Sequence, residues 1–332
     1  MAGLQVRRSA AGADVIGCDR AKQANVSMSS PPPHSARPMA PHLDPWIAEL
    51  TREASRGRRT RWSRADRRAA KRAESAAALL ASVIVSPRRL AVIGLKGGTG
   101  KTTLAVAIAM TYARSRREHI LLFDADTRHG SLPLRAGVLP VASAHDLAVT
   151  GDPGRVDILA GSLGCSPEGV WVLPSGRTAT QSAEMDERVY TGAMNAVYQH
   201  FPITITDCGS GVATPLMQRV LSGAHCLVLA TTATADGVLT TESTVDWLQR
   251  TGYGELTKRS IVALTNVVPK GPGLSLEEAR RPFASSCAAV LAIPADRHLA
   301  VGGALDLDRL APATRAACTE LAAAALRGAL SA

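Results

Sequence analysis

The stretch LAVIGLKGGTGKTTL, residues 90–104, leaves the backbone few choices. An aliphatic run leads into closely spaced glycines, Gly97, Gly98 and Gly100, and a helix-forming segment opens at once with Lys101. Glycines let successive backbone N–H groups turn inward, and the first turn of the following helix adds the positive end of its dipole. Strand, loop and helix in that order make a cradle for phosphate groups. Gly97, Gly98, Thr99 and Gly100 form the loop. Lys101 is placed for the β- and γ-phosphates, the Thr102 hydroxyl for Mg²⁺, and Thr103 for the α-phosphate. One lysine suffices for this chemistry. Lys96, just ahead of the loop, needs a separate explanation.

The aliphatic texture recurs along the chain. LAVIGL (90–95), HILLFD (119–124), VWVLP (170–174), ITITD (203–207), HCLVLA (225–230), SIVALTN (260–266) and AAVLAIP (288–294) are each bounded by turn residues. Helical stretches fall between them, at Lys101–Arg114, Ala183–His200, Gly237–Thr251 and Pro312–Leu330. Strands apolar on both faces, alternating with helices, predict an α/β fold with a mostly parallel sheet covered on both sides. With 3% aromatic residues among 46% hydrophobic ones, the core must be aliphatic. Six cysteines show no CxxC or Cys/His spacing, which argues for free thiols over a disulfide framework or zinc site. No run approaches eighteen uncharged apolar residues and no apolar stretch near the N-terminus fits a signal peptide. A cytoplasmic chain without a transmembrane segment is the expectation.

The net charge of +10 is unevenly spread. From Leu90 onward 21 basic residues face 21 acidic ones, whereas residues 51–75 hold ten basic residues against Glu53, Asp66 and Glu74. Residues 1–45, with PPPHSARPMAP, lack the apolar surface to offset ordering entropy and are expected to be disordered. Residues 46–86 read as a basic helical segment broken at Gly57, with Trp46 and Trp62 among the arginines, and 87–332 as the α/β domain. A neutral body with a basic arm suggests that 51–75 meets nonspecific DNA or another anionic surface, at a membrane or the nucleoid.

The sequence KGGTGKTT is similar to the deviant Walker A motif, KGGxGKT[TS], of the MinD/ParA superfamily, P-loop NTPases of the SIMIBI type. The resemblance implies that Lys96 reaches across a dimer interface to the partner's nucleotide. ATP is then sandwiched between two subunits, and the homodimer depends on the γ-phosphate. LLFDAD ends the second strand with Asp124 and Asp126 on one face, since strand side chains alternate. In the family the second carboxylate orients or deprotonates the attacking water, so Asp126 is the candidate base and Asp124 supports the Mg²⁺ shell. ITITDCGSG resembles a Walker B strand followed by a switch, in which Asp207 would hold Mg²⁺ through water while Gly209 and Gly211 permit movement. Asn266, closing VALTN, matches the asparagine that binds adenine, and Pro294 in IPAD (293–296) belongs to the loop that walls the base. TNVVPK lacks the Asp of a guanine signature, so ATP is expected over GTP.

DGVLTTESTVDWLQRTGYGEL, IPADRHLAVGGALDLDRLAPATRAACTELAAA and TDCGSG look like the MinD-like ATPases of actinobacteria. Some of these accompany ESX (type VII) secretion loci and carry a proline-rich N-terminal extension, as in EspI-like proteins. The likeness spans roughly residues 88–328. It implies a slow ATPase acting as a dimerising switch, with a protein partner such as a secretion-system component. Two features depart from relatives. DADTRHGS lacks the Pro-Gln that follows D-x-D in chromosome-partition members, and AALRGALSA, with the single Arg327, lacks the basic amphipathic helix of septum-site MinD. The competing readings are a partition-type ATPase on nonspecific DNA and a metabolic ATP enzyme of the same fold.

Overall fold

A computed structural model describes residues 72, 75–128, 130–139, 141–267 and 274–332. The Pro-rich stretch and nearly all of the basic segment, with Trp46 and Trp62, lie outside the described residues. Eight strands follow in order: β1 (Arg88–Ile93), β2 (Ile120–Ala125), β3 (Gly164–Cys165), β4 (Val170–Leu173), β5 (Ile203–Cys208), β6 (Cys226–Thr232), β7 (Ile261–Val267) and β8 (Ala289–Pro294). They form one sheet in the order β3-β4-β2-β5-β1-β6-β7-β8. All pairings are parallel except that of β3 with β4. The seven aliphatic runs are all strands. The eighth, β3, is two residues long, too short to carry a periodic signal.

Parallel neighbours need crossovers, and helices supply them: α1 (Lys101–Ser115), α2 (Ala144–Thr150), α3 (Glu187–Val197), α4 (Pro215–Gly223) and α5 (Ala235–Arg250), while α6 (Pro312–Leu330) follows the last strand. Every residue of β2 and β5 is buried, which is why these strands read as unbroken apolar runs. On one face Leu104 and Ile108 of α1 and Leu321 and Leu326 of α6 pack with Val92, Ile205 and Val228. On the other, Val197, Leu221 and Leu248 from α3, α4 and α5 pack with Ile93, Phe123 and Leu229. Tyr112, buried in α1, donates its hydroxyl to the Ala322 carbonyl of α6 at 2.7 Å and ties the two helices together. Residues 75–80 are helical, and Ala76, Ala77 and Leu80 join the first layer. Arg72 pairs with Glu320 of α6 at 2.6 Å, so the core draws on residues ahead of β1.

Two helix boundaries differ from expectation, each because of a cap. The predicted Ala183–His200 helix is a short helix Ala179–Ala183 followed by α3. Asp186 interrupts it with extended backbone, and its carboxylate accepts from the N–H groups of Arg188 and Val189. α5 begins at Ala235 because the Thr234 side chain accepts from Gly237 N–H.

Since the central strands run parallel, the segments that follow them emerge at one edge of the sheet. β1 lies between β5 and β6, and such a position opens a crevice at the strands' carboxyl ends. The close seating of α6 is testable at Gly328, where a Cβ would lie 2.5 Å from the Arg259 carbonyl oxygen and 2.8 Å from Cys226 Sγ. Gly328→Ala should cost about 1–3 kcal/mol through overpacking. Urea unfolding would show this as an earlier midpoint, and an unchanged midpoint would reject the tight contact.

Candidate active site

The glycine loop owes its shape to two residues. Gly98 and Gly100 have φ of 76° and 86°, a region that strains any residue with a Cβ, and Gly100 caps α1. Leu95 stands where the G-x-x-x-x-G-K-T spacing has its first glycine. Gly94, one residue earlier, makes the close approach instead: a Cβ there would lie 2.7 Å from the Ala230 carbonyl of β6. The Thr265 hydroxyl of β7 stands 3.0 Å from the Thr99 carbonyl and 3.1 Å from the Thr231 carbonyl. Loop, β6 and β7 therefore meet at one side chain.

The two lysines diverge. Lys101 is buried, and its ammonium donates to the Lys96 carbonyl at 3.0 Å, crossing its own loop. Burial lowers its pKa, against the pull of Asp207 and Asp126. Lys96 turns outward, half-exposed, and pairs with Asp236 in the first turn of α5.

Asp124 and Asp207 are register partners on β2 and β5, both buried. Burial raises the Asp207 carboxyl to about 7; Thr102 and Lys101 oppose the rise and Asp126 adds to it. Asp124 is held well above the usual carboxylate range, first by burial and then by Asp207. The backbone of Gly130 presses on Asp124 so closely that a Cβ would fall 1.8 Å from its Oδ2. One oxygen of Asp207, Oδ1, is buried without a hydrogen-bond partner.

Strand alternation does not place Asp126. β2 ends at Ala125, and the Asp126 N–H donates to Asp124 Oδ1 at 2.9 Å, so the second carboxylate opens a turn beyond the strand. Its own Oδ1 accepts from Arg128 N–H at 3.0 Å. A Cβ on Gly209 would lie 2.9 Å from that oxygen, so the segment after β5 rests against Asp126. Gly211, with φ of 105°, lets the segment turn away. Beside it lies a cavity of about 450 Å³ lined by Thr127, Met185, Cys208, Gly209, Thr214 and Met217, among others.

Thr102 and Thr103 occupy the first turn of α1, both partly buried. Asn266 lies on β7 at the same edge, its side chain outside the described residues. Pro294 ends β8 opposite Val267. Among the described residues no three carboxylate, His or Cys side chains converge as a preformed metal cage. A site with one or two protein ligands completed by phosphates and water is the pattern Mg²⁺ favours. Sequence reasoning missed Gly94, Arg128, Gly130 and Asp236. Arg128 alone had a local signal, its position two residues beyond Asp126. Asp236 is 140 residues from Lys96, and nothing short of the fold brings them together.

Residues 90–310 match the family described as the CobQ/CobB/MinD/ParA nucleotide binding domain. The chain belongs to this family. The ESX-1 secretion-associated protein EspI of Mycobacterium tuberculosis is 30% identical over 238 residues, covering 71% of this chain and 36% of EspI. This chain thus spans about a third of that relative's length. A ParA family ATPase from Chlorobium tepidum superposes with a TM-score of 0.61 at 15% identity, over 71% of this chain and 98% of that one. The septum site-determining protein MinD from Pyrococcus horikoshii, complexed with Mg-ADP, gives 0.56 at 21% identity over 71% and 94%. The sheet is that of a MinD/ParA P-loop NTPase.

The buried carboxyls of this MinD/ParA domain make its stability depend on pH. A carboxyl raised on folding from 3.8 to about 7 binds protons preferentially in the folded state. Stability is then full below about pH 4 and declines as pH rises through about 7. Thermal midpoints measured with chelator should show this fall, and Asp207→Asn should flatten it. An identical slope in the variant would show that Asp207 ionises without penalty.

Proposed function

We propose that this chain is an ATP-binding, slowly hydrolysing switch whose ATP form is a homodimer. The divergence of the two lysines carries the reading: Lys101 lies inside the glycine loop while Lys96 turns to its rim. In this reading Lys101 binds the β- and γ-phosphates, backbone N–H groups of residues 97–100 line them, and Thr103 reaches the α-phosphate. The residues present fit Mg²⁺, because Asp207 keeps a buried oxygen without a partner close to Thr102. Thr102 would ligate the ion, Asp207 would hold it through water, and Asp124 would support that shell. Bound Mg²⁺ neutralises charge on the phosphate oxygens. Asn266 and Pro294 are assigned to adenine.

Asp126 holds the attacking water and takes its proton. The water oxygen bonds to the γ-phosphorus, and the bridging oxygen leaves with ADP and the electron pair. Because Gly209 rests on Asp126, the segment after β5 would register the loss of phosphate and pass it to a partner protein. Lys96 would reach the partner subunit's nucleotide once released from Asp236. That release costs little, since both side chains are exposed and such pairs contribute weakly.

Similarity to EspI supports a role in organising or regulating a type VII secretion system, in the cytoplasm or at a membrane face. The excess of basic residues in 51–75 favours a second reading, a partition-type ATPase on nonspecific DNA. Among the described residues no helix is long and apolar enough to cross a membrane.

Lys101→Ala should abolish binding of a fluorescent ATP analogue, and retained affinity would reject the loop assignment. Lys96→Ala should bind ATP as wild type does yet stay monomeric by light scattering; ATP-dependent dimers in this variant would refute the cross-subunit role. Asp126→Ala should bind and dimerise but hydrolyse about 10²–10⁴-fold more slowly in single turnover. Wild-type rates in that variant would place the water elsewhere.

A further inference from the structure

The segment after β2 carries a cation that no motif above uses. The N–H of Arg128 donates to Asp126 Oδ1 at 3.0 Å, and its side-chain Nε stands 3.7 Å from the same oxygen. The backbone bond fixes where the side chain starts. The side chain itself is 57% exposed and makes no other ion pair among the described residues. Its charge also reaches Lys101 inside the glycine loop, where it disfavours the protonated amine. Arg128 therefore stands within electrostatic range of both the phosphate-binding lysine and the candidate water-holding carboxylate.

We infer that Arg128 binds the terminal phosphate of ATP, exchanging its Asp126 partner for a phosphate oxygen and freeing Asp126 to hold water. The inference rests on the ATPase reading above. The ion pair is long, 3.7 Å from Nε, and its guanidinium is largely in solvent although Asp126 is half-buried, so giving it up costs little. A phosphate offers the planar guanidinium two charged acceptors at once, the geometry in which arginine binds most strongly. The positive charge of Arg128 would fall where negative charge spreads over the phosphoryl oxygens in the transition state. ADP has no terminal phosphate, and with ADP bound the guanidinium keeps its Asp126 partner. The same side chain then both distinguishes ATP from ADP and unmasks the water-holding group. An arginine that only stiffened the turn would affect the two nucleotides alike.

The test uses the full chain with Mg²⁺, comparing wild type, Arg128→Ala and Arg128→Lys. Fluorescent ADP and a slowly hydrolysed ATPγS analogue are titrated into each, and ATP hydrolysis is followed in single turnover. Arg128→Ala should keep ADP affinity within about twofold and lose about tenfold for ATPγS, the loss of one charge-assisted contact. Its hydrolysis should fall at least about tenfold, and Arg128→Lys should recover part of the ATPγS affinity but little of the rate. Equal weakening for both nucleotides, or unchanged ATPγS affinity with wild-type hydrolysis, overturns the assignment. If wild type itself binds neither nucleotide, the ATPase reading falls, and this inference with it.

Discussion

Two carboxylates side by side inside a sheet set the terms for this protein. Asp124 and Asp207 are register partners on adjacent parallel strands, buried among aliphatic residues. Among the described residues neither forms an ion pair; the nearest help is the Asp126 N–H for one and Thr102 with Lys101 for the other. Such an arrangement is expensive for a protein that only has to fold. In the proposed function its cost is intelligible, because a divalent cation would supply the missing positive charge. The glycine loop, the start of α1 and the turn after β2 are all placed around that pair.

From it follows the division of labour between cations. Lys101 is held inside, buried and close to Asp207, where it can only serve its own loop. Lys96 and Arg128 stand at the rim, Lys96 on an exposed pair with Asp236 and Arg128 on a long one with the half-buried Asp126. Lys101 donates inward to the Lys96 carbonyl, whereas the other two cations are paired outward with side chains that solvent reaches. In the proposed function, Lys96 and Arg128 are the cations that a second subunit or a nucleotide would claim. The segment after β5 lies against Asp126 through Gly209, so a change at that carboxylate would have a mechanical neighbour.

Much of this was legible in the sequence because the signals are local. All strands but β3 are short apolar runs bounded by turn residues, and full burial of β2 and β5 on both faces removes any alternation there that might mislead. The glycine loop is legible because Gly98 and Gly100 meet a backbone demand at fixed spacing from Lys101. Caps were harder. Asp186 breaks a stretch of helical composition, and its effect depends on one side chain turning back to two N–H groups. Asp126 lies one residue past the end of β2, so the alternation of strand side chains expected to put it on one face with Asp124 does not hold there.

The sequence by itself determined the order of the seven apolar strands and of the main helices between them, and the glycines that turn the loop ahead of Lys101. These depend on contacts within a few residues and on burial that composition already demands. Only the tertiary structure decided that Asp124 and Asp207 are neighbours, that Gly94 and Gly130 admit no side chain, and that Lys96 meets Asp236. Those facts join positions distant in the chain, or depend on how closely one backbone approaches another group. Sheet order and helix seating set both, and no local pattern encodes them.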